Sequence, residues 1–344
     1  MRHGDTEKKE VPGPYKMAGD ILSATYEKEN EFRSVALYGS SVRARNENSV
    51  YSAFHLENES GTGNITVYQA FPGMELVYND MHMEYCNKTQ NPRAGLIEIN
   101  YCREGRCECA FGEHSYCYMA AGNLSICSLQ GKSHTSSFPT SHYHGITVTV
   151  DLTGITKEMR TILELLSIDL SHILEFAEMR DFYMVRANET VQHIFSELYT
   201  VQDHRKLSYI RIKLLELLLM LTELNYDDSK ADYIYFSKAQ RDRVIQIHDF
   251  IVAHITEHYT IEELAGRFEI SPTAMKNCFK GIYGVPIYTY CRTYRLQLAE
   301  KLLREDQLSV AEIAVKIGYT NPNKFTSAFR AEYGMSPTEY KKNV

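Results

Sequence analysis

The feature that most constrains this 344-residue chain is a repeat in its last hundred residues. Ile261, Leu264, Ala265 and Phe268 form one helical face, and Val310, Ile313, Ala314 and Ile317 form the same face 49 residues later. Each is followed by a second helix opened by a polar cap and a proline, Ser271-Pro272 and Asn321-Pro322. These second helices carry Met275 and Phe279, then Phe325 and Phe329, as inward anchors, and both stop at a glycine, Gly284 and Gly334. Two short helices at a tight turn make a helix-turn-helix unit, and a small Ala265 or Ala314 lets them approach closely. One such pattern is weak, because any helical hairpin produces it. Two copies with shared anchors, caps and terminal glycines are specific. Gly318 stands where the second copy needs its sharp bend, and Glu269 occupies the matching place in the first.

Between the copies, Ile287 to Arg304 reads as a linker helix with Tyr290, Leu296, Ala299, Leu302 and Leu303 available for packing. At 1.5 Å per residue it spans about 27 Å. Successive major grooves on one face of a duplex are about 34 Å apart, so such a helix could hold two recognition helices in adjacent grooves. The net charge of −7 would by itself argue against a nucleic-acid partner. That average conceals an asymmetry: Ser237 to Val344 holds 15 Lys/Arg against 12 Asp/Glu, leaving 22 basic and 32 acidic residues upstream. Lys276, Lys280, Arg292, Arg295, Lys301 and Arg304 lie between Ser271 and Arg304 against Glu300 alone, a distribution suited to neutralising phosphates.

At these positions the chain resembles the AraC/XylS family of bacterial transcription regulators. The resemblance rests on Ile261-Glu262-Glu263-Leu264-Ala265, Phe279-Lys280 with Gly284 and Pro286, Arg295-Leu296 with Ala299 and Leu303, and Ile313-Ala314 with Gly318-Tyr319. It closes with Phe325, Phe329-Arg330, Gly334-Met335-Ser336-Pro337 and Tyr340, and it covers about Arg241 to Lys342. It implies that Thr273, Lys276 and Asn277 face bases from the first recognition helix, and Asn323, Thr326 and Ser327 from the second. Lys280, Lys324 and Arg330 are then placed near the DNA backbone. Arg295 has two readings of equal weight, a phosphate contact or a tie between the linker helix and the second unit. Asn277 and Ser327 stand where the family often has arginine, which implies fewer bidentate guanine contacts and an operator of its own.

Upstream, the chain to about residue 48 is charged and irregular, with a short helix expected at 21–31. From about Val67 to Leu152 the period shortens to two: Ile146, Val148, Val150 and Leu152 alternate with Thr147, Thr149 and Asp151. Turn signals such as Glu104-Gly105-Arg106 and Ala121-Gly122-Asn123 separate the strands, so a small antiparallel barrel or sandwich able to hold a ligand is expected. Helical periodicity returns at Val191, Ile194, Phe195 and Leu198, and Leu214 to Leu221 is apolar nearly all round. That helix must be covered by the barrel, by its neighbour helix or by a second subunit. The family implies a cupin-type sensor and dimerisation domain here. The expected fold class is therefore α+β multidomain: an N-terminal antiparallel, cupin-like β-barrel with trailing helices, then an all-α domain of two helix-turn-helix units joined by a linker helix. Its boundaries are an extension at 1–48, a sensor domain at 49–230 (strands about 67–152, helices about 157–225), a linker at 231–240 and a DNA-binding domain at 241–344. Within the last, the units span about 261–283 and 309–333, with the linker helix at 287–304.

Catalytic chemistry has no visible home: no nucleophile elbow, phosphate loop or paired-carboxylate signature occurs, and an enzyme is not expected. His142-Tyr143-His144 puts two imidazoles on one strand face, with His82, His114 and His134 in the same domain. A cupin metal site would add a carboxylate shortly after that pair. Gly145 to Val150 contains none and the first acid is Asp151, so neither metal nor cofactor is expected. Cys102, Cys107 and Cys109 could cluster, but no Cys-x-x-Cys pair occurs, and all eight cysteines read as reduced thiols. Arg106, Glu108, His134 and His144 are ligand-pocket candidates, with a surface ion pair as the plainer reading of Arg106 and Glu108. No run of about 18 apolar residues exists and the first ten residues are charged, so a cytoplasmic protein with no membrane partner is expected.

The expected function is a sequence-specific regulator that binds double-stranded DNA, responds to a small-molecule effector such as a sugar or other metabolite, and activates transcription. A homodimer through the sensor helices and contact with RNA polymerase belong to that expectation. Two rivals stand beside it: a metal-dependent cupin enzyme with an accessory DNA-binding domain, and a ligand-independent regulator whose barrel only dimerises.

Overall fold

A computed structural model describes residues 38, 42–47, 50–87, 94–111, 114–129, 135–180, 182–222, 234–305 and 308–343. The helix expected at 21–31, His134, and residues 231–233 of the expected linker lie outside them. The chain divides into two units, Met1–Phe111 with Met119–Tyr233, and Gly112–Tyr118 with Ile234–Val344.

The strands up to the trailing helices are β1 (Val42–Glu47), β2 (Ser52–Asn58), β3 (Gly61–Phe71), β4 (Met74–His82), β5 (Tyr85–Asn87), β6 (Leu96–Phe111), β7 (Ser115–Ala120), β8 (Asn123–Ser128), β9 (Thr135–Ser137) and β10 (Tyr143–Asp151). The helices of the first unit are α1 (Lys157–Leu165), α2 (Leu170–Arg180), α3 (Glu189–Thr200) and α4 (Lys206–Thr222), with β11 (Tyr183–Arg186) between α2 and α3. In the first unit all strand pairs are antiparallel, in the order β1-β2-β3-β4-β10-β6-β8-β11, and β9 pairs with both β5 and the far half of β6.

Two boundaries differ from the sequence expectation. Strands begin at Val42 instead of about residue 67, because β1, β2 and the start of β3 are ordered by pairing across the hairpin Asn58↔Gly61 more than by apolar alternation of their own. The region expected to be helical contains β11, a four-residue strand that completes the sheet at β8 and is too short to show a period.

One sheet face carries Leu76, Ile97, Ile99, Ile146, Val148 and Val150, and the helices cover it with Val191, Ile194, Phe195, Leu198, Leu214, Leu217, Leu218 and Leu221, all at most 2% exposed. The leucine-rich run of α4 is thus consumed inside the unit. Lys213 enters this layer paired with Glu197 of α3 and Glu216, which offsets the cost of burying its charge. The opposite sheet face bears a polar row: Asn100 Nδ2 donates to Glu98 (2.9 Å), Thr147 Oγ1 to Asn100 (2.7 Å) and Asn79 Nδ2 to Thr147 (2.9 Å). Glu98 and Asn79 are buried.

The second unit holds β12 (Phe236–Ser237), paired with Tyr116 and Ser115, followed by α5 (Lys238–Ala253), α6 (Ile261–Arg267), α7 (Pro272–Tyr283), α8 (Ile287–Glu305), α9 (Val310–Lys316), α10 (Pro322–Tyr333) and α11 (Pro337–Asn343). Sequence reasoning missed α5 within the expected linker and the residues after it, although Val244, Ile247 and Ile251 have helical spacing and Ser237 with Gln240 forms a capping box.

The repeat holds down to single hydrogen bonds. Thr260 with Glu263 and Ser309 with Glu312 form identical capping boxes. Ile270 N donates to Ala265 O (3.1 Å) as Tyr319 N does to Ala314 O (2.8 Å), closing both turns alike. The bend between these partners is left-handed in both copies, with φ of 52° at Glu269 and 85° at Gly318. Each copy has its own core. The first joins α5, Met275, Cys278, Phe279, Ile282 and Ile287; the second joins Ile313, Ala314, Ile317, Phe325 and Phe329. Helix α8 serves both, giving Ile287 to the first core and Leu296, Ala299 and Leu303 to the second.

Candidate nucleic-acid interface

The burial of Met275, Cys278, Phe279, Ile282 and Tyr283 fixes which side of α7 faces outward. Thr273, Lys276, Asn277 and Lys280 lie on that outer side at i, i+3, i+4 and i+7, and all four are exposed. In α10, Phe325 and Phe329 are buried, which turns Asn323, Thr326, Ser327 and Arg330 outward 50 residues later in the same register. Asn323, Ser327, Arg330 and the adjacent Lys324 are exposed; Thr326 is half-buried. Each face therefore offers hydrogen-bonding groups flanked by cations, the composition needed to read base edges while holding phosphates. Among the described residues Lys276, Lys280 and Lys324 have no carboxylate partner, whereas Arg330 stands 3.9 Å from Glu339 in an exposed pair.

Helix-turn-helix geometry of this kind agrees with the comparisons. The family model for a helix-turn-helix domain matches residues 264–343. The probable transcriptional regulator LumQ of Photobacterium leiognathi is 24% identical over 174 residues, covering 51% of this chain and 67% of LumQ. The HTH-type transcriptional regulator AlkR of Acinetobacter baylyi is 32% identical over 92 residues, 27% of this chain and 30% of AlkR. Among solved structures, the DNA-binding domain of AdpA, crystallised with a target DNA, is 26% identical and covers 29% of this chain and 91% of that domain, with a TM-score of 0.28. The chain thus carries, at residues 264–343, a helix-turn-helix domain similar to those of transcription regulators. It spans two thirds of LumQ's length and less than a third of AlkR's.

Within this helix-turn-helix domain, Arg295 has a definite structural task. Its Nε donates to Ile255 O (2.7 Å) and its Nη2 to Glu257 O (2.8 Å), tying α8 to the loop after α5. Nη1 lies 3.3 Å from His258 Nδ1, and His258 Nε2 lies 3.2 Å from Gly318 O at the bend of the second unit. An imidazole that accepts at Nδ1 donates from Nε2, so the relay runs from α8 through the loop to the second turn. The tie reaches the second unit only through His258, a partner that sequence reasoning missed because it lies 37 residues away from Arg295. Arg295→Ala is expected to destabilise the domain by about 1.5–3 kcal/mol, the worth of a charge-assisted hydrogen bond in a partly buried site. Under conditions where the variant is folded, the slope of DNA affinity against salt should match the wild type; a slope reduced by about one would reveal a phosphate contact instead.

Arg304 is likewise engaged: its Nη2 lies 2.5 Å from Glu300 and donates to Tyr340 OH (2.8 Å), binding α8 to α11. In the first unit, Arg106 and Glu108 are half-buried on β6, and His144 stands on β10 beside His82 and His142. His144 leaves the opposite face of β10 from Thr147 and the polar row. All eight cysteines are free. Burial pushes the Cys102 thiol up to about 12, with the neighbouring Cys107 adding to the effect, which keeps it protonated and unreactive at neutral pH.

Proposed function

We propose that the chain is a sequence-specific, double-stranded-DNA-binding transcription regulator that reads its operator with the outer faces of α7 and α10. The observation that carries this reading is the repeat itself: two helix-turn-helix units with the same caps, bends and cores, each with a polar outer face, share one linker helix. Thr273, Lys276 and Asn277 would contact one groove, and Asn323, Thr326 and Ser327 the next, with Lys280, Lys324 and Arg330 at the backbone. Among the described residues no helix is long and apolar enough to cross a membrane, in keeping with a partner in solution.

An activator role, a small-molecule effector and pairing with a second copy complete the proposal. The polar row Glu98-Asn100-Thr147-Asn79, buried at Glu98 and Asn79 and half-buried at Asn100 and Thr147, favours an effector rich in hydroxyl groups. Pairing would use the outward side of α4, where Ile212 is 62% exposed. Selection of binding sites from a random duplex pool followed by gel-shift titration tests the core of the reading. Lys280→Ala should weaken binding to all duplexes and flatten the salt dependence, while Asn323→Ala should cost about 1–3 kcal/mol on the selected site alone. Binding unchanged in both variants would overturn the assigned faces.

A further inference from the structure

His142 immediately precedes β10 and His144 stands on it two residues later, which turns both side chains toward the same side. The strand register sets His144 directly opposite Asp80 on β4 and opposite Glu104 on β6, and His82 lies two residues beyond Asp80. Three neighbouring strands thus deliver three imidazoles and two carboxylates to one patch. The candidate donor atoms of His82, His142 and His144 all lie within 4.8 Å of one another. His82 Nε2 and His144 Nε2 stand 2.8 and 2.7 Å from the same oxygen, Asp80 Oδ1. Glu104 Oε2 is 3.6 Å from both His142 Nε2 and His144 Nδ1. Despite the short approaches, Asp80 Oδ1 and His144 Nε2 are shielded from solvent and lack a hydrogen bond of acceptable angle. Buried polar atoms without such a bond are uncommon, and an ion is one of the few things that accounts for them.

We propose that His82, His142, His144 and Asp80 form a binding site for a divalent transition-metal ion, with zinc as its occupant. Three imidazoles and one carboxylate are borderline donors that suit zinc and its neighbours; calcium and magnesium take oxygen ligands. Zinc–nitrogen bonds of about 2.0–2.1 Å in a tetrahedron put ligand nitrogens roughly 3.3 Å apart, so small side-chain rotations close the observed spread. The ion has an entry path, because the His82 side chain is 53% exposed and that of His142 37%. Glu104 acts on the far side of His144: with Nε2 on the metal, Nδ1–H faces a carboxylate, the usual support of a ligating imidazole. Arg103 Nε, 3.3 Å from the other oxygen of Glu104, holds that carboxylate in turn. A bound ion would clamp β4 to β10, and the site stands independently of DNA recognition.

Zinc titration of the chelator-stripped full chain by calorimetry, together with cobalt titration by absorption spectroscopy, tests the proposal. The expected result is one ion per chain, visible cobalt d–d bands without a thiolate charge-transfer band, and a raised melting temperature. His82→Ala and His144→Ala should each lose the one-to-one ion while melting, metal-free, like the wild type. Glu104→Gln should bind about 10–100-fold more weakly. Absence of one-to-one zinc binding, a thiolate-to-cobalt band, or full affinity in the double variant His82→Ala/His144→Ala would each overturn it. Should an alanine variant fail to fold, the wild-type cobalt spectrum still decides between imidazole and thiolate ligands.

Discussion

Gly318→Ala is expected to destabilise the second helix-turn-helix unit by about 2–5 kcal/mol and to abolish tight operator binding. Two penalties combine. The residue sits at φ 85°, where a Cβ costs roughly 1–2 kcal/mol. The new methyl would also lie 2.6 Å from the Thr256 carbonyl oxygen and 2.8 Å from Thr256 Cα, both backbone atoms that cannot rotate away; forced overpacking of this kind costs about 1–3 kcal/mol. The first unit provides the reciprocal experiment. Glu269 holds the same bend at φ 52° with a side chain, so Glu269→Gly should relieve strain and raise stability by about 0.5–1 kcal/mol after the entropy of glycine is counted. Gly266→Ala controls for the chemical change alone, since nothing lies within 4 Å of its Cβ position. Chemical denaturation of the three variants checks the signs, and equal effects at 266 and 318 would refute the steric account.

Phe329→Ala is expected to cost about 3–5 kcal/mol, the range for removing a large aromatic from a closed core. Phe329 is fully buried and meets the rings of Phe325, Tyr333 and Tyr340 at 5.7, 4.4 and 5.6 Å. The loss should stay local, because the first core is built from different residues around α7 and shares with the second only the helix α8. Amide hydrogen exchange should therefore show α9, α10 and α11 opening while α6 and α7 keep their protection. Operator affinity should fall toward that of a single unit, with a shallower salt dependence. Equal loss of protection in α6 and α7 would mean that the domain unfolds as one body.

How much was legible in sequence depends on how local the signal is. The two helix-turn-helix units, their caps and their bends were readable because each depends on residues within a few positions: Ser271 before Pro272, Asn321 before Pro322, Gly318 after the helical face of Val310 to Ile317. The strand around Ile146, Val148 and Val150 was readable for the same reason, since burial of one face forces a period of two. β1, β2 and β11 were not, because short or edge strands are ordered by their partners. Helix α5 was legible in its spacing yet hidden inside an expected linker.

The histidine patch shows the limit most clearly. Scanning downstream of His142 and His144 for a carboxylate reaches only Asp151, and that argument predicted no metal site. Folding supplies the carboxylates sideways, from Asp80 and Glu104 on the strands to either side, 64 and 40 positions away from His144 along the chain. Arg295 is similar: whether it meets phosphate or protein depends on the loop carbonyls of Ile255 and Glu257. The amino-acid order alone determined the repeated helical units and which of their faces stay polar, because helix periodicity and capping are written within a single turn. Tertiary structure alone decided which distant side chains share a site, because strand register and helix packing bring together groups whose separation along the chain carries no trace of their distance in space.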